Sequence, residues 1–212
     1  MEAGTAGDLT RHSVSGIIKV STEKQVNHMK YLIASDIHGS ALYCGQMLRQ
    51  YRAEQADRLL LLGDLLYHGP RNDLPEGYAP KKVIAMLNEY RTEILCVRGN
   101  CEAEVDQAVL EFPVLAEYAL LSTDKMLIFA THGHQWNAGQ LPPLKAGDIL
   151  LHGHTHIPAC EPCGPAGAFM RMNPGSVSIP KDGSPHSYMT LENSVFTWKT
   201  LDGEIYRTWQ PD

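Results

Sequence analysis

Short apolar runs in this chain end, one after another, in polar clusters rich in glycine, and few folds accommodate that rhythm. Tyr31–Ser35 runs into Asp36-Ile37-His38-Gly39, Arg58–Leu62 into Gly63-Asp64, and Ile94–Val97 through Arg98 into Gly99-Asn100. Lys125–Ala130 and Asp148–Leu151 repeat the pattern with histidines, ending in Thr131-His132-Gly133-His134 and His152-Gly153-His154-Thr155-His156. Strand-length apolar segments closed by glycine and polar residues are β-strands leading into loops. Helices are expected from Ala41, with Ser40 as N-cap, and from Lys81, with Pro80 near its first turn. The first half therefore reads as two strand–helix–strand units, and open α/β sheets build their sites at the carboxyl ends of such strands. Phe169–Met172, Ser187–Leu191 and Ser194–Leu201 follow as shorter strands separated by Pro/Gly turns. The expected class is α/β, with two sheets packed face to face and helices outside.

A chain of 212 residues, 43% of them hydrophobic, is long enough for one sizeable core. Residues 29–212 are expected to form a single domain. Residues 1–28 lack sustained periodicity and precede a second methionine, Met29, so they read as a disordered extension or an over-long start. No apolar run approaches the roughly 18 residues of a membrane span, and no secretory signal is visible. A cytoplasmic location with no membrane partner is expected. The formal net charge of -6 is spread along the chain without a basic block, so no specific nucleic-acid partner is expected. The cysteines Cys44, Cys96, Cys101, Cys160 and Cys163 read as free thiols in a reducing compartment. Cys160-Glu161-Pro162-Cys163 lacks a second pair at zinc-ribbon spacing, and its Glu-Pro reads as a turn. Tyr and Leu side chains in the Leu74–Tyr78 loop offer a small patch for a homo-oligomer.

The chemistry lies in the polar clusters. In an extended strand end, Asp36 and His38 would project to one face as a bidentate metal corner. Asp64 emerges from a run of leucines expected to be buried on both faces, where a lone carboxylate is costly unless a cation or hydrogen-bond donors meet it. Asn100 offers a neutral oxygen, and His132 follows another buried strand. Three imidazoles at period two, His152, His154 and His156, are hard to explain as packing, and at least two of them are expected to ligate a metal. Each pair alone has a bland reading as a cap, a turn or a core histidine. The set carries the inference.

In this order, D-x-H, G-D, G-N, H and G-H-x-H, the residues resemble the calcineurin-like metallophosphoesterases across residues 29–200. More narrowly, Gly63–Asn72, Leu74–Pro80, Arg98–Cys101 and Asn173–Pro180 are similar to the YfcE-type bacterial phosphodiesterases. The resemblance implies a four-layer α-β-β-α sandwich of two mixed sheets flanked by helices. It also implies two divalent metal ions, one held by Asp36, His38, Asp64 and His156, the other by Asp64, Asn100, His132 and His154, with Asp64 bridging. Manganese is the metal the resemblance favours, and the mixed imidazole and oxygen donors also suit Ni, Co, Zn or Fe. The implied function is a metal-dependent phosphodiesterase that attacks a small phosphodiester with a metal-bridging hydroxide, with Asp64, Asn100 and Cys101 in catalytic roles. His68 and Arg71, in the loop after Asp64, and His134 are candidates for substrate contact, whereas His152 reads as a core-facing strand residue.

One departure bears on substrate. Many members of the superfamily read Gly-Asn-His-Asp or Gly-Asn-His-Glu, but here Cys101 replaces the histidine that would contact the phosphate or protonate the leaving oxygen. A thiol cannot be a cationic acid, so aryl diesters are expected to react readily and alkyl monoesters poorly. The rival readings are a phosphomonoesterase of the same superfamily, a nucleic-acid phosphodiesterase, and a non-catalytic protein-binding scaffold of the same fold.

Overall fold

The computed structural model describes residues 29–211, so the expectation for residues 1–28 lies outside the described residues. Strand β1 (Tyr31–Ala34) is followed by helix α1 (Ala41–Ala53), β2 (Arg58–Leu61), α2 (Pro80–Asn88), β3 (Ile94–Cys96) and the short α3 (Glu104–Gln107). Then come β4 (Tyr118–Ser122), β5 (Leu127–Thr131), β6 (Ile149–Leu151), β7 (Ala159–Cys163), β8 (Phe169–Asn173), β9 (Ser187–Glu192), β10 (Val195–Thr200) and β11 (Ile205–Trp209). The first sheet runs β11-β10-β9-β1-β2-β3 and the second β4-β5-β6-β8-β7. Both are mixed. In the first, β1, β2 and β3 are parallel and the rest antiparallel; in the second, β5, β6 and β8 are parallel and β4 and β7 pair antiparallel at the edges.

Alternation along the central strands explains the layers. Leu32, Ala34, Leu59 and Leu61 point to one side and pack on Cys44, Met47, Leu48 and Tyr51 of α1 and Val83 and Leu87 of α2. Ile33, Leu60 and Leu62 point to the other and meet Ile128, Ala130, Ile149 and Leu151 of the second sheet, together with Trp198. The β1 and β2 side chains are therefore buried on both faces, which is why their sequences read as unbroken apolar runs. On its outer face, the second sheet carries Phe129, Leu150 and Phe169 under Trp136, Leu141 and Leu144 of the 132–148 connection. Helix α1 begins where the Ser40 side chain accepts a hydrogen bond from the Tyr43 N–H at 3.2 Å, satisfying one of the donors a helix start leaves unpaired. Helix α2 begins on Pro80, whose fixed φ suits a first helical position.

Two expectations need correction. Cys160-Glu161-Pro162-Cys163 is not a turn: it lies in β7, paired with β8, and Pro162 is tolerated because β7 is an edge strand. Asp36 and His38 do not sit on extended backbone. Strand β1 ends at Ala34, and both residues have left-handed conformations, φ 59° and 48°. Their convergence comes from a tight loop and not from period two.

Candidate metal centre

The loops after β1, β2, β3, β5 and β6 abut at one end of the two sheets. Asp36 N–H donates to the Gly63 carbonyl at 3.1 Å, His38 N–H to the Asp64 carbonyl at 2.8 Å, and Gly153 N–H to the His132 carbonyl at 2.9 Å. Glycines make this approach possible. A Cβ on Gly99 would stand 2.2 Å from Asp64 Oδ1, and one on Gly153 only 1.9 Å from Ser35 Oγ. Several side chains that meet here are aimed by unusual backbone: Asp36, His38, Asp64, His154 and His156 all have positive φ, from 48° to 66°.

Two groups of donors result, sharing one carboxylate. In the first, His38 Nε2 lies 3.2 Å from His156 Nε2, and Asp36 Oδ1 lies 3.6 Å from the former and 3.3 Å from the latter. In the second, His132 Nε2 lies 3.1 Å from Asn100 Oδ1 and 3.2 Å from His154 Nδ1. Asp64 Oδ2 stands between them, 3.7 Å from His38 Nε2 and 3.4 Å from His132 Nε2.

The protons of three of these four histidines are accounted for elsewhere. Nδ1 of His38, His156 and His132 faces the carbonyl of Tyr67 at 2.8 Å, Ile179 at 2.6 Å and Leu62 at 2.7 Å respectively. Each Nδ1 must carry the hydrogen it donates, which leaves each Nε2 of the neutral ring as a bare lone pair pointing inward. Two such lone pairs 3.2 Å apart repel, as do a nitrogen lone pair and the Asn100 carbonyl oxygen. Buried Asp36 Oδ1 has no hydrogen-bond partner among the described residues. Nitrogen and oxygen donors crowded together in this way are what a cation requires, and the residues present fit a pair of divalent ions.

Protons compete for the same nitrogens. Burial opposes a charge on His132, but the carboxylates of Asp64, 3.4 Å away, and Asp36 lift it to about 9. Burial and the neighbouring His132 hold His154 down at about 4. Asp36 stays well below the usual carboxylate range: its complete burial works the other way, but the imidazoles of His156, His38 and His132 around it outweigh that.

The shell behind the donors is equally specific. Glu102, 4% exposed, accepts the backbone N–H of Leu65 on Oε1 and those of Asp64 and Gly99 on Oε2. It thereby ties the Asp64 loop to the Asn100 loop. Asn173 donates to the Gly153 carbonyl and to Thr155 Oγ1, bracing the loop that carries His154 and His156. Ser176 and Ser178 hydroxyls both donate to the Asp36 carbonyl. Cys101 N–H donates to Asp64 Oδ1 at 2.9 Å, and its thiol lies 3.3 Å from Oδ2. Burial, and then the Asp64 charge, push that thiol far up, so it stays protonated.

A cleft of about 360 Å³ opens over the centre, lined by Asp64, Asn100, Cys101, His154 and His156 together with Arg71 and Lys181. Of the substrate-contact candidates, Arg71 lines it. His68 packs edge-on between Tyr67 and Tyr78, and His134 leans on His132 and His154 beside the centre; neither is among the lining residues. His152 is buried away from the donors, with Nδ1 2.9 Å from the Gly153 carbonyl. Sequence reasoning missed Lys181 and the clamping role of Glu102. A single lysine after Pro180 carries no pattern, and Glu102 shows only as an acidic residue beside Cys101.

The model of the calcineurin-like phosphoesterase superfamily domain matches residues 29–194. The chain is 47% identical over 176 residues to Phosphodiesterase YfcE of Escherichia coli K12, covering 83% of this chain and 94% of that protein. It is also similar to a solved structure of the E. coli phosphoesterase Yfce, with a TM-score of 0.82 and 45% identity, over 87% of this chain and 100% of the other. Vps29 from Entamoeba histolytica, 22% identical with a TM-score of 0.52 over 87% of this chain and 100% of that one, shares the fold.

Proposed function

Because this chain belongs to the calcineurin-like phosphoesterase superfamily, we propose that it is a phosphodiesterase that works with two divalent metal ions on small diester substrates. One observation carries the reading: imidazole nitrogens and carboxylate oxygens converge in two groups that share Asp64 Oδ2, and backbone carbonyls hold Nδ1 of His38, His132 and His156 so that each Nε2 faces inward. In this reading Asp36, His38, Asp64 and His156 hold one ion, and Asp64, Asn100, His132 and His154 hold the other. Bound there, the ions would supply the positive charge that activates water as a nucleophile and neutralises the phosphoryl oxygens. Imidazole with oxygen donors suits Mn, Fe, Zn, Co or Ni, and manganese is our choice.

The remaining residues decide which esters react. Cys101 holds the Asp64 carboxylate through its backbone N–H and presents a neutral thiol to the cleft. A leaving oxygen there receives no proton from a cationic acid, so leaving groups that are stable as anions are favoured. That supports aryl diesters over alkyl monoesters. Five free thiols support a reducing cytoplasmic setting. Among the described residues no helix is long and apolar enough to cross a membrane. The same reading takes residues 29–212 as one domain.

The test is to strip the protein with chelator, restore Mn, Ni, Co, Zn or Mg separately, and compare bis-p-nitrophenyl phosphate with p-nitrophenyl phosphate at neutral pH. Metal-dependent diester hydrolysis, well above monoester hydrolysis and lost in Asp64→Ala, is expected. Cys101→His should narrow the gap between the two esters. No activity with any metal would refute the reading.

A further inference from the structure

Apart from residues assigned to the metal ions, the walls of the cleft are unevenly charged. With Asp64 assigned to the ions, the rest of the lining holds no carboxylate, while Arg71 and Lys181 both contribute cations. Neither Arg71 nor Lys181 makes an ion pair among the described residues. The two arrive from unrelated parts of the chain, and each is anchored at its root. Lys181 N–H donates to the His156 carbonyl at 3.3 Å, and the Arg71 loop is closed by the Asn72 side chain donating to the His68 carbonyl at 2.8 Å. Both are exposed, and two cations without a protein partner in one cleft of a chain with net charge -6 are free to meet an anionic ligand.

We infer that the cleft selects phosphodiesters whose non-departing arm carries its own anionic group, a carboxylate or a phosphate, which Arg71 and Lys181 hold together. The metal ions answer the charge of the scissile phosphate, so these two cations are left to answer a second one. Arg71 supplies a planar fork and Lys181 a point charge, a combination that recognises charge more than shape. An uncharged or purely apolar arm gains nothing from either. The inference rests on the diesterase reading.

The test uses two esters of equal length and one leaving group, p-nitrophenyl 2-carboxyethyl phosphate and p-nitrophenyl propyl phosphate. Hydrolysis of each consumes one water, breaks the bond between phosphorus and the aryl oxygen, and releases p-nitrophenolate and the alkyl phosphate. With the full chain loaded with manganese, kcat/KM for the carboxylate ester should exceed that for the propyl ester about tenfold at low salt. The preference should shrink at high ionic strength. It should fall to about unity in the Arg71→Met/Lys181→Met double variant and survive in Lys181→Arg. Equal rates for the two esters in the wild type would overturn the inference while leaving the diesterase reading intact. A preference that persists in the double variant would overturn it too, because the arm would then be read elsewhere. If neither ester were hydrolysed with any metal, the diesterase reading would fail and take this inference with it.

Discussion

Replacing Glu102 by Gln tests whether the donor loops are held by one buried carboxylate. Its two oxygens accept three backbone N–H groups, Leu65 at 2.7 Å on Oε1 and Asp64 at 2.9 Å together with Gly99 on Oε2. Gln has one acceptor oxygen. Its best rotamer keeps the Asp64 and Gly99 bonds and turns an NH₂ group against the Leu65 N–H, donor facing donor. An orphaned buried N–H costs about 1–3 kcal/mol, and two charge-assisted bonds that become neutral lose roughly 1 kcal/mol each. Removing the charge gives something back, because burial and the nearby Asp64 already disfavour the Glu102 carboxylate and raise its pKa. The net loss should be about 2–4 kcal/mol. At roughly 2–4 °C per kcal/mol for a chain of this size, the metal-stripped variant should melt some 5–15 °C lower by circular dichroism. Because the lost bond joins the loop carrying Asp64 to the loop carrying Asn100, manganese titration should also show weaker binding. A melting point within about 1 °C of wild type, with unchanged manganese affinity, would refute the clamp.

Two further perturbations probe other layers of the structure. Gly153→Ala places a methyl group against Ser35 Oγ at 1.9 Å and Asp36 Oδ2 at 2.9 Å, and should abolish metal-dependent hydrolysis; adding Ser35→Gly, which removes the blocking side chain, should restore part of it. Glu54 lies 2.6 Å from Lys199 Nζ and 2.9 Å from Lys30 Nζ. Burial works against its charge, but these lysines and Tyr188 outweigh it and lower its pKa. Its stabilising contribution is thus complete above the unfolded carboxyl value of about 4.3 and disappears as pH falls through the lower folded value. Melting curves from pH 7 to 3 should show a shallower acid-side decline in Glu54→Gln than in wild type, and parallel declines would contradict this assignment.

The strand ends were legible because apolar runs and the clusters that close them are local in sequence. The backbone that aims the donors was not. The Asp36–His38 spacing suggested a strand, but both residues turn left-handed beyond Ala34, a loop geometry no periodicity announces. Strands β4, β7 and β11 escaped notice for a related reason. All three are edge strands with mostly exposed or half-buried residues, so their sequences lack the apolar signal that central strands must carry. Glu102 and Lys181 acquire meaning only when loops distant in sequence close around them. In contrast, Ser40 capping α1 and Pro80 opening α2 were readable from local chemistry alone.

The left-handed conformations at Asp36, His38, Asp64, His154 and His156 bear on how such a protein could be made hardier in the laboratory. An L-residue in that region gives up roughly 1–2 kcal/mol, so five of them together approach the net stability of an ordinary domain, about 5–15 kcal/mol. A selection that rewards heat resistance alone would therefore enrich glycine at these very positions, and survivors would be tougher and inert. Only a screen that demands turnover at each round would steer improvement into the helices and outer strands.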